Sequence, residues 1–107
     1  MILYKPNPFI NIQNINSEIP ASFLLEQNYP NPFNPSTTIQ FEISKTSFVR
    51  LYIYDVQGKL VDNIFEGNLN PGSFKAQWNA SDKPSGIYIY KLEAGDFSST
   101  KRMMLVK

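Results

Sequence analysis

The sequence contains no cysteine and no histidine among its 107 residues, and these two absences remove most kinds of active site. Without histidine there is no Ser-His-Asp triad, no imidazole base that titrates near neutral pH and no histidine-bearing zinc site. Without cysteine there is no thiol nucleophile, disulfide framework or thiolate metal site. The composition therefore predicts a non-catalytic protein that holds neither a cofactor nor a metal ion.

An excess of one charge and long apolar runs are also missing. Ten Lys and Arg stand against nine Asp and Glu, a formal charge of +1, so no strong field favours nucleic acid or an anionic membrane. No window approaches the roughly 18 apolar residues of a transmembrane segment, and the first residues lack the features of a signal peptide. We expect no nucleic-acid partner and no transmembrane segment, and interpret the chain as the tail of a longer protein that carries the targeting signal.

Proline and asparagine are concentrated at the beginning of the chain. Six of the eight prolines and seven of the eleven asparagines lie before residue 36, and both residue types disfavour helices and central strands. Five aromatic residues argue against a solvated linker here, so we expect an extended segment whose aromatic side chains dock on a neighbouring surface. These aromatic residues are Tyr4, Phe9, Phe23, Tyr29 and Phe33.

Apolar and polar residues alternate from residue 37 to the end of the chain. This period of two is typical of β-strands, and no stretch has the spacing of a core-facing helix. The sequence therefore predicts an all-β chain. The residues on one face of the alternating runs are Ile39, Phe41, Ile43, Val49, Leu51, Ile53, Phe74, Ala76, Trp78, Tyr88, Tyr90, Leu92, Met103 and Leu105.

Turn residues separate these runs at intervals of about ten residues, which is typical of an immunoglobulin-like antiparallel β-sandwich of about seven strands. A small barrel is the alternative architecture. Gly58 stands where a hairpin needs a positive φ, and Pro71-Gly72, Pro84-Ser85-Gly86 and Gly95-Asp96 have similar turn chemistry. We expect Trp78 to pack in the core between the sheets rather than to form an exposed platform for a ligand.

Two groups of side chains suggest chemistry but have simpler interpretations. The aspartates at residues 55, 62, 82 and 96 fall at predicted turns or strand ends, no pair shares an obvious cleft for glycoside hydrolysis, and there is no Asp-x-Asp run for calcium. Tyr52 and Tyr54 could stack on a carbohydrate, although tyrosines on strands more often pack across strands.

The last predicted strand carries Lys101, Arg102 and Lys107 on an otherwise apolar run. Such charges protect an edge strand from uncontrolled pairing. Alternatively, a partner could recognise the exposed strand by strand addition. The chemistry of these residues alone favours edge protection.

Four motifs and a tryptophan occur in an order that resembles a known family. Gln27–Ile39 (QNYPNPFNPSTTI) resembles the opening signature of the type A C-terminal sorting domain of type IX secretion. Val49–Val61 is similar to the central hairpin of that family, Trp78 to its tryptophan, Pro84–Leu92 to its next strand and Lys101–Lys107 to its basic and apolar ending. The resemblance covers residues 19–107.

The resemblance implies a signal rather than a catalyst. Such domains form seven-stranded immunoglobulin-like sandwiches at the C-terminus of proteins secreted by Gram-negative bacteria. After the cargo reaches the periplasm, an outer-membrane translocon recognises the domain, and in many members a sortase then removes it, so that the cargo is released or attached to the cell surface. By the family pattern, the partner-recognition residues are Pro84, Gly86 and Tyr88 with the terminal strand, whose charged members are Lys101, Arg102 and Lys107.

Residues 1–18 have no counterpart in this resemblance. We therefore predict a linker or a remnant of the upstream cargo over residues 1–18 and a sorting domain over residues 19–107, and interpret the chain as a fragment of a longer protein. The alternative function is an immunoglobulin-like binding or spacer module that is retained on the cell surface and contacts carbohydrate or protein.

Overall fold

The computed structural model describes residues 11–107, which form two antiparallel four-stranded sheets. The all-β prediction and the β-sandwich are confirmed, and two separate sheets rule out the small barrel. No helix able to cross a membrane occurs in the described residues. The strands are β1 (Asn11–Asn16), β2 (Leu24–Leu25), β3 (Ser36–Ile43), β4 (Ser47–Asp55), β5 (Leu60–Leu69), β6 (Gly72–Asn79), β7 (Gly86–Ala94) and β8 (Phe97–Leu105).

The strand order is β1-β6-β3-β2 in the first sheet and β5-β4-β7-β8 in the second. Strands β2 to β8 alone reproduce the immunoglobulin-like arrangement, because β2, β3 and β6 take the places of strands A, B and E, while β4, β7 and β8 take those of C, F and G. β5 extends the second sheet beside β4. β1 is an additional strand on the free side of β6, with which it pairs antiparallel.

The period-two patterns correctly identify the core. Every residue predicted on the first face of the alternating runs is buried, with Trp78 only 1% exposed, so the ligand-platform interpretation of that residue is wrong. The Trp78 ring stays within the core, and its Nε1 donates a 3.0 Å hydrogen bond to Asp62 Oδ2 on β5. This bond satisfies the polar atom of the indole and joins the two sheets.

Two strands do not follow the period-two alternation of apolar and polar residues. β5 pairs with β4 through two register shifts, at Leu51/Tyr52 and at Ile53/Tyr54, so its side chains do not alternate regularly between core and solvent. β1 is rich in asparagine and pairs at a sheet edge, where low β-propensity is tolerated better than in a central strand.

Two of the predicted turns depend on glycine. Gly58 has a φ of 83°, and its amide donates to the Asp55 carbonyl at 3.0 Å, which closes the turn between β4 and β5. Gly95 has a φ of 59° in the turn that joins β7 to β8. Both conformations favour glycine because it has no Cβ.

Candidate functional site at the end of the last strand

The structure brings four of the six predicted recognition residues together at one end of the sandwich. Pro84 lies in the turn between β6 and β7, Gly86 begins β7, and Tyr88 follows two residues later. Gly86 pairs with Leu105 near the end of β8. The backbone of Lys107, just beyond β8, therefore reaches the same turn.

Lys107 attaches the end of the chain to this turn through three hydrogen bonds. Its backbone amide donates to Ser85 Oγ at 3.0 Å. Its ammonium group donates to the carbonyl oxygens of Ser81 at 2.7 Å and of Lys83 at 2.8 Å. The positive charge is thus held by backbone dipoles, and the position of the terminal residue is fixed by the turn.

Tyr88 supports the same turn from the core side. Its hydroxyl donates to the Pro84 carbonyl at 2.7 Å, and its ring packs edge-on against Trp78 with centroids 5.4 Å apart. Burial, with a smaller effect from the negative charge of Asp55, raises the pKa of the Tyr88 hydroxyl. The residue therefore stays a neutral donor and acts here through its contacts with the turn.

Lys101 and Arg102 lie elsewhere on β8. Lys101 is half-buried opposite Tyr90, whereas Arg102 is exposed opposite Ile89. Since a strand rises about 3.4 Å per residue, both are roughly 17 to 20 Å from Lys107 along the strand. The structure places them on the same strand but not in the same cluster.

The signature segment lies along the outer edge of β8. We call residues 27–35 the clasp. Gln27 Nε2 donates to the Arg102 carbonyl at 2.7 Å, and the Met104 amide donates to Asn31 Oδ1 at 2.9 Å. The Phe33 amide donates to the Met104 carbonyl at 2.9 Å, and its own carbonyl accepts from the Val106 amide at 3.0 Å. The clasp thus covers the outer edge of β8 from residue 102 to residue 106.

A buried polar network holds the clasp on the sandwich. The Asn28 side chain donates to Thr37 Oγ1 at 2.9 Å and to the Pro30 carbonyl at 3.1 Å. The Asn28 amide donates to the Tyr90 hydroxyl at 2.8 Å, and that hydroxyl donates to the Glu26 carbonyl at 2.7 Å. Burial raises the pKa of Tyr90 to about 12.

Phe33 anchors the far end of the clasp in the core. Its side chain is 2% exposed, and its ring lies 5.9 Å from that of Trp78. Two residues later, the Pro35 carbonyl accepts from the Ala80 amide at 2.9 Å. The clasp therefore contacts both β8 and the segment that leads into residues 81–85, the turn between β6 and β7 that we call the recognition turn.

The expected docking of the early aromatic residues is correct in part. Phe33 is buried, and the half-buried Phe23 stacks on Phe97 with ring centroids 5.3 Å apart. Tyr29 is 80% exposed, so the expectation is wrong there. It points outward because its backbone, and not its ring, makes the contact: its amide and carbonyl pair with Thr38. Tyr4 and Phe9 lie outside the described residues.

The outer face of the second sheet carries a network of paired charges. The Tyr52 hydroxyl donates to Glu66 Oε1 at 2.7 Å, and this bond is the main cause that raises the pKa of Tyr52 and lowers that of Glu66. Glu93 pairs with Arg50 and Lys91 at 3.7 and 3.0 Å. The Tyr52 and Tyr54 rings meet edge to face with an interplanar angle of 63°, so they do not form a flat carbohydrate platform.

Exposed apolar side chains lie near the end of β8. Met104 and Val106 are 41% and 48% exposed. The half-buried Ile87 stands opposite Met104 on the same sheet. Grouped apolar side chains of this kind are a feature of contact surfaces, so a partner could meet apolar atoms here as well as the charge of Arg102.

Sequence reasoning missed three polar residues that hold the clasp and the end of the chain in place. Asn28, Asn31 and Ser85 look like ordinary turn residues in the sequence, and their partners lie up to 73 positions away. The only sequence signal for this segment is the proline-rich signature at Gln27–Ile39, which resembles the opening signature of the sorting-domain family. It did not show which strand the segment contacts.

Within residues 11–107, no three acidic side chains are close enough to hold a metal ion together. Several carboxylates have structural partners instead: Asp55 Oδ1 accepts from the amides of Gln57 and Lys59, and Asp62 accepts from Trp78.

A family model described as a secretion system C-terminal sorting domain matches residues 27–107. The matched region begins at the first residue of the clasp and includes β3 to β8, the recognition turn and Lys107. No curated protein and no solved structure matches the chain.

Proposed function

Because the chain belongs to the family of secretion system C-terminal sorting domains, we propose that it directs a cargo protein through the type IX outer-membrane translocon. The domain acts as a sorting signal and not as a catalyst. The cargo passes through the periplasm and is released or attached to the cell surface, and a sortase removes the domain. Residues 1–18 connect the domain to the cargo, and β1 within this stretch pairs with β6 of the sandwich.

The joining of the recognition turn to the terminal strand supports this function best. Lys107 binds the backbone of residues 81–85, and Tyr88 binds the same turn from the core. Residues from three separate parts of the sequence, the clasp, the turn and the terminal strand, therefore form one surface of defined shape. A translocon that reads this surface recognises the folded domain rather than a short peptide.

Each recognition residue has a distinct role in the proposal. Pro84 and Gly86 are exposed on the turn and contact the translocon directly, as does the exposed Arg102. Tyr88 and Lys107 hold the turn in place. Lys101 is half-buried. Its aliphatic stem packs on the sandwich, and its ammonium group lies at the edge of the surface that the translocon contacts.

A fusion tests the proposal. A passenger protein carrying residues 19–107 should reach the surface of a cell with a type IX system, and deletion of Lys101–Lys107 should retain the passenger in the periplasm. Surface labelling and fractionation measure the distribution. Normal export of the truncated fusion would overturn the proposal.

A point variant separates recognition from folding, since the deletion also removes the buried Met103 and Leu105. Lys107→Met removes the two ammonium hydrogen bonds, and we expect weaker export with only a small change in thermal stability, about 1 kcal/mol. Lys45→Met is the matched control, because Lys45 is exposed near the opposite end of the sandwich. Equal export of the two variants would contradict the role given to Lys107.

A further inference from the structure

The four edge strands of the described sandwich differ in how well they are protected from pairing with another chain. β2 has only two residues, and β1 is short and carries a register shift. β5 is long but pairs through two bulges and carries Asp62 and Glu66. Short length, bulges and charges are the usual means of blocking an edge. Three of the four edges therefore have such protection.

β8 is protected along only part of its length. The clasp occupies the outer backbone groups of Arg102, Met104 and Val106. The preceding part, Phe97–Thr100, contains no charged residue or proline, and its register with β7 is continuous. A regular stretch of edge strand thus remains next to the clasp, uncharged from Phe97 to Thr100 and followed by Lys101 and Arg102.

The regular pairing also shows which backbone groups point outward. In an antiparallel pair, alternate residues direct both the N–H and the C=O away from the neighbouring strand. Met104 and Val106 do so, because their groups bond to the clasp. By the same alternation, Ser98 and Thr100 direct their N–H and C=O groups outward, and Arg102 directs its N–H outward. Both Ser98 and Thr100 have exposed side chains.

We propose that an extended strand of the type IX machinery pairs with β8 along Ser98–Arg102, as an added strand of the second sheet. The inference rests on the proposed function and specifies how that partner is bound. The added strand would end where the clasp begins, so that the partner reads backbone groups on β8 and the exposed Arg102 side chain together. Main-chain hydrogen bonds supply the affinity in this mode of recognition.

A second copy of the chain fits this edge less well. Two copies that paired antiparallel about Thr100 would place Arg102 of one opposite Ser98 of the other. The Arg102 carbonyl already accepts from Gln27 of the clasp, so each clasp would meet the strand of the other copy. Two copies could therefore pair only over the few residues around Thr100. A strand from a different protein can end before it reaches the clasp and so avoids this collision.

Proline at position 100 tests the role of the backbone. Thr100→Pro removes an outward N–H without removing a bond to β7, and proline is tolerated at such edge positions. We expect surface export of the fusion to fall about tenfold, as the loss of an inter-strand hydrogen bond and the steric effect of the ring would produce. Thr100→Val is the matched control, because it keeps the N–H and should leave export unchanged. Thermal unfolding of both variants verifies that they fold.

Photocrosslinking identifies the strand that pairs with β8, and its result does not depend on whether Thr100→Pro folds. A benzophenone amino acid replaces Thr100, and in a second fusion it replaces Lys75, which is exposed on the first sheet. We expect crosslinks to a type IX component from position 100 and not from position 75. Crosslinks to a second copy, or export of Thr100→Pro at the level of Thr100→Val, would overturn the strand-addition inference. Failure of the unaltered fusion to reach the surface would instead overturn the proposed function.

Discussion

β1 and the clasp are both polar segments that lie against the sandwich, but they are held in different ways. β1 contributes backbone pairing to β6 and packs the half-buried Ile12 against the core, and its side chains from Gln13 to Asn16 are exposed. The clasp adds buried side chains to its backbone bonds, since Asn28 is 3% and Phe33 2% exposed. The family model includes the clasp and begins after β1.

This difference shows what fixes an irregular segment on a sheet. A backbone hydrogen bond replaces one made with water, so its net contribution is only about 1 kcal/mol. Burial of a phenylalanine contributes more, about 1.5 to 3 kcal/mol, and a buried asparagine restricts the segment to the position where its bonds are satisfied. We therefore expect the clasp to stay in place under conditions that release β1.

The largest expected effect comes from the anchor of the clasp. Phe33→Ala would leave a cavity beside Trp78, and we expect the free energy of unfolding to fall by about 3 to 5 kcal/mol. Urea denaturation measures the change. Ile15→Ala on β1 is the comparison, since Ile15 is 49% exposed and its loss should stay within about 0.5 kcal/mol. Similar losses at both positions would remove the distinction between the segments.

The next effect depends on pH and involves Tyr90, which binds the clasp. Its pKa is about 12 in the folded chain against 10.0 ordinarily, so the hydroxyl ionises more readily after unfolding. The free energy of unfolding therefore keeps its full value below pH 10 and falls as the pH rises from 10 to 12, by a total of about 2 to 3 kcal/mol. Urea denaturation at a series of pH values measures it.

Tyr90→Phe provides the control for this pH effect. The variant removes the partner of the buried Asn28 amide, so we expect a loss of about 1 to 3 kcal/mol at neutral pH. Its stability should then decline less steeply between pH 10 and 12 than that of the unchanged chain. An equal decline in both chains would assign the effect to other tyrosines.

The smallest effect concerns β1 and its contact with Gly72. A Cβ at position 72 would lie 2.8 Å from Asn14 Nδ2 and 2.8 Å from the Asn16 carbonyl oxygen, so Gly72→Ala should displace the end of β1. We expect a loss of about 1 kcal/mol from Gly72→Ala. The loss should be at least as large when residues 1–16 are removed, because that deletion eliminates the whole pairing of β1 with β6. Thermal unfolding of the single and combined variants measures both.

Combining the two changes tests whether they act through the same contact. If Gly72→Ala acts mainly by releasing β1, its effect should be smaller in the chain without residues 1–16, where only the strain of an alanine at a φ of 158° remains. Fully additive losses would mean that alanine disturbs β6 itself, and the comparison between β1 and the clasp would need another explanation.

The sequence predicted the central strands well because their side chains report directly on burial. Ile39, Val49 and Tyr88 each belong to a period-two run, and each is buried. β5 could not be recognised from the sequence, because two bulges interrupt the alternation of its side chains. β1 was not predicted, because its asparagines have low β-propensity and its pairing depends on a partner strand some sixty residues away.

The recognition residues were predicted only as members of motifs. Spacing in the sequence could not show that Lys107 binds the turn at residues 81–85, since such a contact depends on the register of β7 and β8. Nor could it show that Asn31 binds Met104. Contacts between distant segments follow from the completed fold, whereas a strand pattern follows from neighbouring residues.

The hydrogen bond between Asn31 and Met104 joins residues 73 positions apart. The clasp binds the outer edge of β8, and that edge exists only when β8 has paired with β7. Loss of this pairing would therefore remove the ordered position of the signature segment as well, although the two segments are far apart in the sequence. The sorting surface thereby reports on folding: only a domain in which β8 is paired displays it.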